Sequence, residues 1–229
     1  MRPIVVVTLS YLWAQISSPN SFLALSVGAV APTGSTQLKG RTYPSDGYAL
    51  TGAGFGLHLN TFVHPYIALS LRVSQSFFSL DGRALGRDDH LFPEPVTIDE
   101  NPRISHTLAG LGVGTGVQLD WISLYVPVQL ALGLYSAPEI EGRKSSVQTW
   151  IQPKFSTAQI GLSTGLIMNF PITDDFFAGI SLLFTSVSSG EKDFDRFRYT
   201  LDVQDRRFTY RSAVRSDIAE VGILLGLFF

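Results

Sequence analysis

The chain has 229 residues and a formal net charge of −2, and neither a charge run nor a Pro/Ser-rich linker divides it, so one domain is expected. Charged residues make up 16% against about 25% in ordinary soluble domains, and the mean hydropathy is +0.20, a balance that leans toward a membrane. The lack of a basic surplus gives no support to a nucleic-acid partner, and the absence of cysteine excludes a disulfide framework, a thiolate nucleophile and a Cys-based zinc site.

Residues 1–14 have the layout of a secretory signal peptide: Met1 and Arg2, an apolar stretch over 3–13, then Ala14 before Gln15, with cleavage expected after Ala14. The stretch is too short to span a bilayer. The run Ile4-Val5-Val6-Val7 would serve equally as the buried first strand of a cytosolic fold. Export leaves 15–229 as the working domain.

From there the pattern has a period of two. Windows 121–138 and 155–173 carry no charge and by length alone resemble transmembrane helices, but in the first of them Leu124, Val126, Val128, Leu130, Leu132 and Leu134 are apolar while Tyr125, Pro127, Gln129, Ala131, Gly133 and Tyr135 fill the gaps. A strand sends alternate side chains to opposite faces, so one face suits lipid and the other is small or polar. The same outward series recurs in chain order at Leu23 to Ala29, Ala53 to Leu59, Ile67 to Val73 and Ala109 to Leu119, then in the Leu124 set, then at Ala158 to Met168, Phe176 to Phe184 and Ala219 to Phe229. Each run has roughly the 9 to 11 residues that a tilted strand needs to cross the hydrocarbon layer.

Connections near 62–65, 120–123 and 171–175 are short; those near 32–47, 80–105, 136–155 and 187–213 are long. Short periplasmic turns and long external loops are the habit of transmembrane barrels. The expected fold is therefore all-β: an eight-stranded antiparallel up-and-down transmembrane β-barrel with no ninth strand and with both ends in the periplasm. Closure removes strand edges that lipid cannot solvate. Aromatic residues at the strand ends read as headgroup girdles: Phe62, Tyr66, Trp121, Tyr125, Phe170, Phe176 and Phe177 at the short-turn rim, and Tyr48, Phe77, Phe78, Tyr135 and Phe155 at the other.

The final segment, ending Leu227-Phe228-Phe229, resembles the last strand of bacterial outer-membrane proteins. That resemblance implies that Phe229 is the C-terminal signal read by the barrel assembly machinery. With the strand count, the chain is similar in architecture to the small barrels of the OmpA, OmpX and OmpW kind, which implies a bacterial outer membrane. The Ala14-Gln15 junction resembles those of Bacteroidota, whose PorT-like barrels of this size are linked to protein secretion and gliding.

Ionisable groups are few on the inward positions: His58, Arg72 and Glu220, joined by Asn60, Gln118, Gln129, Gln159 and Asn169. The expected lumen polar network is His58, Arg72, Gln129 and Glu220, with Arg72 and Glu220 meeting because a buried charge without a partner costs several kcal/mol. Inward glycines, such as Gly110 and Gly114, leave room for larger neighbours. An eight-stranded barrel is about filled by its own side chains, which argues against an open pore. No catalytic, metal or cofactor site is expected. Ser105 and His106 are adjacent and so point to opposite faces, no nucleophile elbow is present, and His58 and His64 read as a lumen and a turn histidine. The 81–90 and 191–199 segments mix charges with aromatics, as interfaces do, and 199–211 could extend the last hairpin as a platform for a partner strand. The expected function is non-enzymatic recognition of envelope components or a partner protein by the outer loops, with outer-membrane lipid as the surrounding partner. Alternatives are a narrow channel or transporter, a lipid-modifying enzyme, and a soluble lipocalin-like barrel whose exterior would need many more charges.

Overall fold

The computed structural model describes residues 20–33, 49–87, 96–98, 102–119, 121–144, 147–200 and 203–229. The expected signal segment 1–14, Tyr48 and most of the first long loop lie outside them. In chain order the elements are β1 (Phe22–Pro32), β2 (Gly52–His64), β3 (Ile67–Ser79), a short helix α1 (Gly82–Gly86), β4 (Thr97–Ile98), β5 (Arg103–Leu119), β6 (Ile122–Ala137), β7 (Ile140–Lys144), β8 (Val147–Gln152), β9 (Phe155–Pro171), β10 (Phe176–Ser188), β11 (Lys192–Thr200), β12 (Val203–Ser212) and β13 (Arg215–Phe228).

Strands β1, β2, β3, β5, β6, β9, β10 and β13 form a closed barrel, each hydrogen-bonded to its neighbours in chain order. The pairing of β13 with β1, from Phe22↔Phe228 to Pro32↔Ile218, completes the circle antiparallel. Alternation fixes which side chains face out. Leu25, Leu111, Ile160 and Ile223 are each more than half exposed, while their chain neighbours Ala24, Gly110, Gln159 and Leu224 are buried. A continuous apolar exterior of this size is far beyond what water-soluble monomers expose, whereas hydrocarbon solvates it.

The barrel strands run for 11 to 17 residues, and all but β1 are longer than the hydrocarbon layer alone requires. Beyond them the long connections are not bare loops. Five further strands form a separate sheet in the order β12-β11-β8-β7-β4, so the expectation of no additional strand holds for the barrel and fails for the connections. The β11–β12 hairpin forms as expected but leaves the barrel sheet: its β11 edge pairs with β8 through Phe197↔Ile151 and Arg198↔Trp150. Pro138 and Pro153 account for the break on the β6 to β9 side, because a residue without an N–H cannot continue a ladder. On the β10 to β13 side Ser189 takes over the backbone bonding, donating from its N to Val214 O at 2.8 Å while its Oγ accepts from Val214 N at 2.8 Å.

Both ends of the lumen are stoppered. At the short-turn end Phe22 makes edge-to-face contacts with Tyr125 (5.8 Å, 88°) and Phe177 (5.5 Å, 83°), and Phe177 packs on Phe228 at 4.7 Å. Tyr125 fits because Gly114 faces it: a Cβ at Gly114 would lie 2.2 Å from the Tyr125 hydroxyl. At the other end Val30, Phe78, Leu80, Ile104, Tyr135 and Ile218 pack with Leu85 of α1, with Val96 and Ile98 against them. Asp81 caps α1, its Oδ1 accepting from Ala84 N at 3.0 Å. Four of the expected girdle aromatics, Tyr125, Phe177, Phe78 and Tyr135, therefore fill the lumen, since their inward parity outranks their position at a strand end. The exposed rim aromatics include Trp121, Tyr66, Phe176 and Phe77, and Trp121 stacks on Phe170 at 6.3 Å.

Candidate functional site

Between the two stoppers lies a belt of polar side chains. Arg72 of β3 reaches across the lumen to β13, where its Nη2 donates to Glu220 Oε2. Its Nη1 donates to Ser163 Oγ at 3.4 Å, and Ser163 Oγ is 2.9 Å from Thr185 Oγ1, so four strands are tied through one guanidinium. Arg72 and Glu220 are both nearly sealed from solvent, at 3% and 6% exposure. The two terminal nitrogens of the guanidinium thus have the charge-assisted and hydroxyl partners that a buried ion pair requires, while Nε is buried without one.

The remaining members of the expected network have partners of their own. Gln129 Nε2 donates to Ser70 Oγ at 2.7 Å, and His58 Nε2 is 3.0 Å from Ser26 Oγ. His58 is the cross-strand register partner of Arg72, which places it beside the ion pair rather than in it. The Ser26 and His58 pair has the composition of a nucleophile and its base. Both are buried, Ser26 at 5% and His58 at 2% exposure.

A second polar centre, absent from the sequence reading, sits nearer the outer stopper. His106 Nε2 is 2.7 Å from Gln159 Oε1, while Gln159 Nε2 donates to Val214 O at 2.9 Å and to Ser216 Oγ at 3.0 Å. The parity that carries Leu108 and Gly110 inward carries His106 with them. Ser105, on the other face of β5, pairs in register with Phe77 and Ser136 and does not meet it. His64 lies exposed at the end of β2, and among the described residues no group of three His, Asp or Glu side chains is placed to hold a metal ion.

Phe229 is 66% exposed on the outward side of the last strand, its N–H donating to Ser21 O at 3.0 Å. At the opposite end the separate sheet presents charge in quantity. Arg143 pairs with Glu141 at 3.2 Å and Arg211 with Glu191 at 3.3 Å, all well exposed. Such pairs contribute little to stability, so the sheet's charges are a property of its surface rather than of its folding.

No protein-family model matches the chain. No curated protein matches it either. Among solved structures, a major outer membrane protein from Thermus thermophilus is 12% identical, with 90% of this chain and 99% of that one covered and a TM-score of 0.50. Neisserial surface protein A is 8% identical, covering 93% and 99%, at a TM-score of 0.45. The attachment invasion locus protein Ail of Yersinia pestis, solved with the heparin analogue sucrose octasulfate, is 15% identical, covering 92% and 100%, at 0.40. At such identities the likeness is one of fold, and the closed eight-stranded antiparallel barrel of this chain is that of the small outer-membrane β-barrels.

Proposed function

We propose that the mature chain is a non-enzymatic barrel of a bacterial outer membrane whose outer sheet recognises envelope components or a partner protein. In this reading 1–14 is removed on export, both ends lie in the periplasm, and Phe229 is presented to the barrel assembly machinery. The observation that carries it is the contrast between the two halves of the molecule. The lumen is closed by an apolar cluster at each end with the Arg72 belt between them, while the connections at one end are built into a five-stranded sheet. A barrel that only anchors needs no such sheet, and apolar clusters at both ends of the lumen do not favour the transport alternative. The polar belt acts as a structural plug that specifies the fold, because every strand that contributes to it is fixed in register by a partner on another strand.

The test is a detergent-solubilised pull-down from native outer membranes, with bound material identified by mass spectrometry. The bait is the full chain or a variant in which residues 139–154 and 190–213 are replaced by short turns. The expected result is a stoichiometric partner retained by the full chain and lost from the shortened barrel. Identical recoveries from both baits would overturn the proposal, provided the shortened barrel keeps its heat-modifiable mobility on a gel.

A further inference from the structure

Along β10, Ser181 lies on the inward face between Thr185, which bonds to the Arg72 belt, and Phe177 of the inner stopper. Asn169 of β9 pairs in register with Gly179, two residues from Ser181. Both polar side chains are sealed, at 0% exposure. Among the described residues neither Asn169 Oδ1, Asn169 Nδ2 nor Ser181 Oγ has a hydrogen-bond partner. Their neighbours on the same face, along and across the strands, include the apolar Ile167, Leu183 and Leu224. Buried polar side chains in folded proteins are bonded either to protein or to ordered water, and a group left with neither carries its whole desolvation cost.

The lumen offers these groups room rather than partners, because both point over glycines. A Cβ at Gly179 would lie 2.9 Å from Asn169 Oδ1, and one at Gly222 would lie 2.8 Å from Ser181 Oγ, with the next atom, Val27 O, at 3.5 Å. Gly222 pairs with Gly28, and Gly28 with Gly54, so three successive strands place no side chain at this level of the lumen. Asn169 and Ser181 are diagonal neighbours on adjacent strands, roughly 7–8 Å apart at their backbones, a gap that two side chains and one water fill. The chemistry narrows the occupant further. Asn169 supplies both donor and acceptor and Ser181 takes either role, which suits a molecule that donates and accepts. Glu220, two residues along β13 from Gly222, is engaged by Arg72, and an ion held without a counter-charge would bear its full desolvation cost. Water, which settles in buried sites that give it at least two polar partners, meets both conditions.

We infer that Asn169 and Ser181 form a binding site for one ordered water inside the barrel, which bridges β9 to β10 and carries the polar network from the Arg72 belt toward the inner stopper. The first test is a crystal structure of the full chain at a resolution that shows ordered water. One water should lie within hydrogen-bond distance of both Asn169 and Ser181. Urea titration followed by the gel shift of the folded barrel reads the energetic side. Ser181→Ala and Asn169→Leu should each lower the midpoint, because each removes a partner of the water. The double variant should fall no further than the worse of the two, because a shared water can be lost only once. Groups that truly had no partner would give the opposite sign, since replacing them with apolar side chains removes a desolvation cost and raises the midpoint. A raised or unchanged midpoint in either single variant, additive losses in the double variant, or a site that is dry or holds an ion overturns the inference. Should a variant fail to fold, the crystal structure of the unaltered chain decides by itself.

Discussion

At Arg72 the energetics of the lumen rest on a single side chain. Its guanidinium serves Glu220 and Ser163 together, so truncation leaves a carboxylate buried without its cation. Arg72→Met should lower unfolding free energy by about 3–5 kcal/mol, and Arg72→Met with Glu220→Leu should recover most of that loss; urea titration followed by the gel shift of the folded barrel measures both. An unchanged midpoint for the single variant would show that the pair contributes nothing. These two positions were legible from the chain because period-two parity sends both inward, and opposite charges so scarce in a lumen have few other places to go. The bond between His106 and Gln159 was not legible. Both residues are inward by parity, but which residue of β5 comes within reach of which residue of β9 depends on the stagger accumulated around the barrel, and no local pattern encodes that.

The β6–β9 pair shows at the scale of elements how one residue shapes a ladder. Pairing runs through Tyr125↔Ile167 and resumes only at Val128↔Thr164, passing over Pro127, which has no N–H to give. Thr164 Oγ1 compensates by donating to Pro127 O at 2.9 Å. Thr164→Val should therefore destabilise the barrel by about 1 kcal/mol, and amide exchange along this ladder should be fastest at Gly165 and Leu166; uniform protection there would refute the weak point. The barrel strands announced themselves because one face meets hydrocarbon and the other the lumen, which writes alternation into the sequence. Strands β7, β8, β11 and β12 lie outside the barrel, and charges occupy odd and even positions of their sequence alike, as Asp193 and Arg196 do. The apolar-polar signal was therefore missing, and prolines at 138 and 153 made the joins read as loop. The rim aromatics divide for a related reason: parity, and not position at a strand end, turns Tyr125 and Phe177 inward.

The whole molecule is organised around a solvent that changes with depth. Leu130, in mid-strand on the outward face, pairs in register with Leu111 and Leu162, which also face outward. Leu130→Arg should cost about 2–4 kcal/mol, and Phe176→Arg at the rim only about 0–1; reversible folding into phospholipid vesicles gives both values, and equal penalties would contradict a membrane-embedded band. The same architecture governs when the protein can exist at all. Because Phe22 is the register partner of Phe228, the circle is completed by the pairing of β1 with β13, and a chain that has not yet gained β13 cannot close it. Until the last strand has arrived, β1 has an open edge of the kind that recruits other strands, and a contact of such long sequence separation is slow to form. The nascent chain must therefore be kept from its own hydrogen bonds for the whole of its journey, and its maturation reduces to one final event, the meeting of its first strand with its last.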